Sequence, residues 1–160
     1  MFKYLKFLAG SSNHHGVHSP FVYRYVTECL YQKPRLHHNH LRDVLLKSIG
    51  YFSTTHLLIL GEQNALASQI RSQFPDIHFG EPPYDLIVAQ NGKIGDLWPM
   101  LEAFEKIHND TFIMVDAPHK DEAWEQLKAH PMVRVTLDLF YCGVVFLRKE
   151  QAKEHFKIRI

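Results

Sequence analysis

The sequence predicts a single α/β domain with a mainly parallel sheet, helices on both faces and an antiparallel hairpin at its C-terminal end. The first observation behind this is a set of short apolar runs, Leu57-Leu58-Ile59-Leu60, Leu86-Ile87-Val88-Ala89 and Phe112-Ile113-Met114-Val115. They do not alternate apolar with polar, which is the pattern of strands covered on both faces, and such strands are usually parallel. The second is that helical segments fall between them, and repeated βα order gives parallel strands joined by right-handed crossovers. The third is the change of pattern near the end, where Val133, Val135, Leu137 and Leu139 alternate with polar residues before Tyr141-Cys142-Gly143 turns the chain into Val144-Val145-Phe146-Leu147. A chain of 160 residues is one compact domain at this scale. Residues 1–50 read as a helical cover, 55–149 as the α/β core and 150–160 as a tail.

Taken in order, residues 1–18 hold a short amphipathic piece and a polar loop with His14, His15 and His18. Ser19 as cap and Pro20 at the first helical position open a helix whose stripe is Phe21, Val22, Tyr25, Val26, Cys29 and Leu30, and Pro34 ends it. Asn39 caps a second helix carrying Leu41, Val44, Leu45 and Ile49, stopped by Gly50. The strand at 57–60 breaks at Gly61 and turns directly into a helix with Asn64 as cap and Leu66, Ile70 and Phe74 on one face, before Pro75. After the short strand at 77–79, Pro82 and Pro83 form a rigid link into the strand at 85–89, which closes in Gln90-Asn91-Gly92. Asp96 is expected to cap a helix with Leu97, Leu101, Phe104 and Ile107 on one face, followed by a strand at 111–116. Asp121 opens a helix bearing Trp124 and Leu127 that stops near Pro131; the hairpin is expected to close one edge of the sheet, with the Phe156, Ile158 and Ile160 tail extended along the body.

Composition narrows the function classes. Eighteen Lys plus Arg against seventeen Asp plus Glu leave no basic excess for a nucleic-acid partner. No run approaches the length of a membrane span, and Lys3 and Lys6 interrupt the apolar start, which makes it a poor signal peptide. Cys29 and Cys142 are far apart without a C-x-x-C pattern, which predicts two structural thiols in a reduced, cytoplasmic protein. The clusters His14, His15, His18 and His37, His38, His40 have no Cys or carboxylate at a recognised metal-binding spacing, so no metal is expected; His18 is expected to hydrogen-bond backbone near the Ser19 cap.

A strand, a glycine turn and a helix N-terminus form a corner that suits nucleotides, because free N–H groups point out of the helix start. Here only Gly61 stands where G-x-G-x-x-G is expected, so the corner reads either as a cofactor site or as an ordinary βα turn. A parallel sheet finished by an antiparallel last strand resembles the Rossmann-like class I S-adenosylmethionine-dependent methyltransferases. The His15-Gly16-Val17-His18-Ser19-Pro20-Phe21-Val22 block, the Asp121 to Pro131 helix and the Val135 to Gln151 stretch resemble in particular a bacterial methyltransferase-like family of the Bacteroidota.

The resemblance implies that Gly61 is the first glycine of the S-adenosylmethionine turn, with Glu62, Gln63 and Asn64 where the family has small residues. Glu62 there would repel the cofactor's carboxylate. It implies Glu81 as the acid for the ribose hydroxyls, or else as the scar of a deletion between Ile77 and Asp85. Gln90 stands where the family often has aspartate, and Asp116 with His119 align with an Asp and a His that would form an acid/base pair at the carboxyl edge of the sheet, or else serve as a loop cap and a surface histidine. The implied protein is methyltransferase-like with a degenerate S-adenosylmethionine pocket, acting in ligand or protein binding; the alternative is an active small-molecule methyltransferase. The same deletion makes the 77–79 strand an edge and predicts a homodimer through residues 77–84 and the helix face at 64–74.

Overall fold

The structure is a computed structural model that describes residues 1–62 and 64–160. The strands among the described residues are β1 (His56–Leu60), β2 (His78–Phe79), β3 (Tyr84–Ala89), β4 (Ile107–Asp116), β5 (Val135–Asp138), β6 (Cys142–Phe146) and β7 (Glu154–Lys157). They form one sheet in the order β2-β1-β3-β4-β6-β5-β7. The pairs β1/β2, β1/β3, β3/β4 and β5/β7 are parallel, and β6 runs antiparallel between β4 and β5. This is the α/β, Rossmann-like fold that the apolar runs announce.

The helices are α1 (Phe2–Gly10), α2 (Pro20–Tyr25, continued by a π-helical turn to Leu30), α3 (His40–Tyr51), α4 (Asn64–Gln73), α5 (Trp98–Glu102) and α6 (Ala123–Ala129). They divide between the two faces as strand alternation requires. Leu86 and Val88 of β3 point into a core closed by Val22, Tyr25, Leu45 and Ile70 of α2, α3 and α4. Ile87 and Ala89 point into the other, closed by Leu101, Trp124 and Leu127 of α5 and α6. Two caps form as expected, with Ser19 Oγ accepting from Val22 N at 3.4 Å and Asn39 Oδ1 from Arg42 N at 3.1 Å.

Several expectations are corrected. Asn64 is the first residue of α4 and not its cap, and Gln63 lies outside the described residues. The helix expected from Asp96 to Ile107 is the five-residue α5 between two 3-10 turns. Ala103, at φ −90 and ψ 74, leaves helical geometry there, and Ile107 joins the sheet by pairing with Tyr84, so burial in the sheet overrides helical spacing. The hairpin does not close the edge: β6 inserts beside β4, and the tail supplies the edge strand β7, with Phe156 partly buried against the core. His18 is exposed, and the cap bond belongs to Ser19.

The strand β2 is an edge, and a very short one. It pairs with β1 only at His56↔His78 and Leu57↔Phe79 before Gly80, at φ +75, turns the chain away. Arg71 lies over the Phe79 ring at 4.4 Å, and none of the large hydrophobic side chains exposed among the described residues falls between 64 and 84.

At the amino ends of β1, β3 and β4 one carboxylate ties the three strands together. Asp85 Oδ2 accepts from Thr55 N at 2.8 Å, Thr55 Oγ1 at 2.9 Å and His56 N at 2.9 Å, while Oδ1 lies 3.0 Å from His108 Nε2. His108 is on an irregular part of β4, where the register jumps from Tyr84↔Ile107 to Leu86↔Phe112. Thr111 Oγ1 holds this bulge by donating to Tyr84 O at 2.7 Å and accepting from His108 N at 2.8 Å.

Two variants test this packing. A Cβ added at Gly143 would stand 2.7 Å from Trp124 Cη2 and 2.9 Å from Val115 Cγ2. Gly143→Ala is therefore expected to cost ~1–3 kcal/mol through overpacking, read as a lower urea midpoint with an unchanged slope. Burial pushes the Asp85 carboxyl up, but the hydrogen bonds from Thr55, His56 and His108 outweigh it and hold the group below its usual range. A lowered folded value gives stability that is present above about pH 4 and is lost as pH falls through that value. Asp85→Asn is expected to cost ~1.5–3 kcal/mol at neutral pH, and its urea-midpoint gap from the unaltered protein should narrow below about pH 4.

Candidate functional site

The parallel strands deliver their C-terminal ends to one edge, where ligands usually sit in such sheets. At the end of β1, Gly61 takes φ +113, a conformation that glycine adopts without penalty. A Cβ there would lie 3.4 Å from Gln90 Cβ and 3.7 Å from Lys93 Cγ, so the turn packs against the end of β3. Gln90 Nε2 then donates to Glu62 O at 3.1 Å, and Gln90 N donates to Leu60 O at 3.1 Å. Both crevice walls are joined by one side chain.

Glu81 is not brought to this point. Counting from the Leu57↔Phe79 pair, Gly61 lies four residues on along its strand and Glu81 only two. By then the chain has left the sheet to start β3 from its amino end. The Glu81 carboxylate instead lies 3.7 Å from His78 Nδ1, on the exposed rim, so the structure gives no support to a ribose contact from it.

The ends of β4 and of the β5/β6 hairpin hold the better-formed site. Asp116 is followed by Ala117 in the left-handed region at φ +41, and Ala117 N donates to Tyr141 O at 3.0 Å. Phe140 in the facing turn is also left-handed, at φ 67. An alanine and a phenylalanine in this region each carry strain on the order of 1–3 kcal/mol, and strain of this kind concentrates at functional sites. Between these turns lies a cavity of about 320 Å³ lined by Asp116, His119, Lys120, His40 and Tyr141, among others.

His119 is oriented by Phe140. Its Nδ1 lies 2.8 Å from Phe140 O, and because a carbonyl only accepts, Nδ1 carries a proton and Nε2 is the ring nitrogen left without a protein partner among these contacts. The imidazole also stacks on the Phe140 ring at 4.1 Å with 6° between planes. Asp116 and His119 thus share one cavity, but the carbonyl of Phe140, and not the Asp116 carboxylate, holds the imidazole. The far wall is His40 stacked on Tyr141 at 4.0 Å; burial, then the nearby Arg35, lowers the pKa of His40. Above the turn, Tyr4 and Phe7 of α1 meet Phe140 at 4.9 and 5.4 Å.

Sequence reasoning placed His40 in a histidine cluster and Tyr141 in a turn, and missed their meeting, because nothing in the local pattern joins positions so far apart. Among the described residues no group of three His, Cys, Asp or Glu side chains could hold a metal ion. Cys29 and Cys142 are free and buried; burial pushes the Cys29 thiol up to about 12 and the Cys142 thiol up as well, so neither is a nucleophile at neutral pH. No helix of the described residues is long and apolar enough to cross a membrane. A scan against protein-family models and a search of the curated proteins both find no match.

The strain at Ala117 is testable. Ala117→Val should lower stability by ~1–2 kcal/mol, because a β-branched residue is poorly tolerated at positive φ. Ala117→Gly should stay within ~1 kcal/mol of the unaltered protein, relief of strain offsetting added chain entropy. Thermal melts of both variants read the contrast.

Proposed function

We propose that the chain is a methyltransferase-like Rossmann-fold protein that does not use S-adenosylmethionine and that binds a small ligand or a protein segment in the cavity beside Asp116 and His119. The observation that carries this reading is the Gln90 amide bonded to the Glu62 carbonyl at 3.1 Å, which spans the crevice a cofactor would enter. Glu62 on that turn and Glu81 turned back toward His78 weigh the same way. The residues at the β1 turn therefore fit the cofactor poorly, and no chemical step is assigned to it.

At the other cavity, the chain offers the Nε2 edge of His119, the Asp116 carboxylate and the Lys120 ammonium. These groups suit a ligand with both donors and acceptors. Cytoplasmic residence is part of the same reading, supported by the two unpaired cysteines.

Calorimetric titration with S-adenosylhomocysteine is expected to give no binding. A micromolar Kd, worth ~8 kcal/mol, would overturn this reading and favour an active methyltransferase. A fragment screen read by amide shifts should move Ala117, Lys120 and Tyr141; hits that cluster elsewhere would remove the cavity from consideration.

A homodimer through β2 is a second proposal, supported by that strand's position at the sheet edge. With no large exposed hydrophobic side chain between 64 and 84 among the described residues, pairing there rests on backbone hydrogen bonds. Light scattering at high micromolar concentration should give twice the monomer mass, and a monomer mass would sink the proposal.

A further inference from the structure

A second cavity, of about 270 Å³, opens at the amino edge of the sheet, opposite the site beside Asp116. Its floor is four phenylalanines from four separate elements: Phe21 of α2, Phe52 just past α3, and the cross-strand neighbours Phe112 and Phe146 of β4 and β6. The rings close a circuit, with centroids 4.9 Å apart for Phe21 and Phe146, 6.1 Å for Phe146 and Phe112, 4.8 Å for Phe112 and Phe52, and 6.4 Å for Phe52 and Phe21. Phe112 and Phe146 are buried while Phe21 and Phe52 are partly exposed, so the cup opens to solvent on their side.

Its remaining lining is charged or polar. Asp85 contributes an anchored carboxylate whose Oδ2 takes three donors, while among the described residues Oδ1 meets only His108 Nε2 and has a further lone pair for another donor. His108 Nδ1 accepts from Asp110 N at 3.2 Å, so the ring proton sits on Nε2 and faces Asp85. Both ring nitrogens are thereby used, which leaves His108 as a positioning residue without a free base. Asp110 adds a second carboxylate, and Arg148 adds a guanidinium. The Arg148 guanidinium already lies over the Phe21 ring, 4.7 Å from its centroid, and its Nε is 3.3 Å from Asp110 and 2.8 Å from Glu150.

We propose that this cavity binds a small organic cation, an alkylated ammonium head, on the phenylalanine faces and beside the Asp85 and Asp110 carboxylates. Ring faces attract cations through the aromatic quadrupole, most strongly where water is excluded. The Arg148 guanidinium is the cavity's own example of that contact. Two carboxylates against one guanidinium leave the lining net negative, which favours a second positive charge and disfavours an anion. The volume lies just below the usual range of ligand sites, which run from roughly 300 Å³ upward, and fits a compact head better than a nucleotide. Arg148 shares Phe21 with the incoming head and so weakens its binding.

The test uses the full chain and two probes of the same shape, choline and its neutral carbon isostere 3,3-dimethyl-1-butanol, with binding read from aromatic proton shifts. Choline is expected to shift the Phe21 and Phe52 resonances with at least tenfold higher affinity than the isostere. Arg148→Met, which removes the internal competitor, should tighten choline binding severalfold, with circular dichroism confirming that the variant folds. Equal affinity for the two probes would show only an apolar hollow and overturn the proposal. So would the absence of any shift in both the unaltered protein and a folded Arg148→Met; if that variant does not fold, the comparison of probes on the unaltered chain decides alone.

Discussion

The Asp85 carboxylate is the constraint on which the amino half of the sheet depends. It sits at the start of β3, accepts the N–H groups of Thr55 and His56 at the start of β1, and receives His108 from the bulge of β4. Charge-assisted hydrogen bonds are about twice as strong as neutral ones, and here they align three neighbouring strands at the point where each enters the sheet. The bulge is a consequence. With His108 drawn to Asp85 and Thr111 donating to Tyr84 O, β4 must take extra residues between its pairs with Tyr84 and Leu86, and these carry Asp110 to the rim of the phenylalanine cup.

The carboxyl half is shaped by two turns and one short strand. Because β2 leaves the sheet after Phe79, the crevice beside β1 has little wall on that side, and Gln90 spans what is left. On the other side the β5/β6 turn reaches over β4, and hydrogen bonds from Ala117 N to Tyr141 O and from His119 Nδ1 to Phe140 O hold both turns in left-handed conformations. A fold without use for this geometry could relax it with a glycine; the chain keeps Ala117 and Phe140 and builds its cavity between them. The aromatic contacts from α1 to Phe140 brace the arrangement.

Much of this was legible in the residues, and the legible part has a common cause. Apolar runs without alternation identified β1, β3 and the inner part of β4, and Ser19, Pro20 and Asn39 marked helix starts, because periodicity and capping are local physics. The misreadings arose where local preference met distant partners. Ile107 has helical spacing from Leu97 and Leu101 yet pairs with Tyr84, and the hairpin expected to close the sheet edge has β7 (Glu154–Lys157) beyond it. His119 and Asp116 were singled out together, and the fold does bring them to one cavity.

The sequence by itself determined the class of fold, the apolar faces and the edge at β2, since these follow from burial patterns within short windows. Only the tertiary structure decided which polar groups meet: Gln90 with Glu62, His119 with Phe140, His40 with Tyr141, and Asp85 with His108. Those pairings join residues that are 21 to 28 positions apart in the three hydrogen-bonded cases and farther apart in His40 and Tyr141. They depend on strand order and register, which are set by the packing of the whole sheet and leave no trace in the residues on either side.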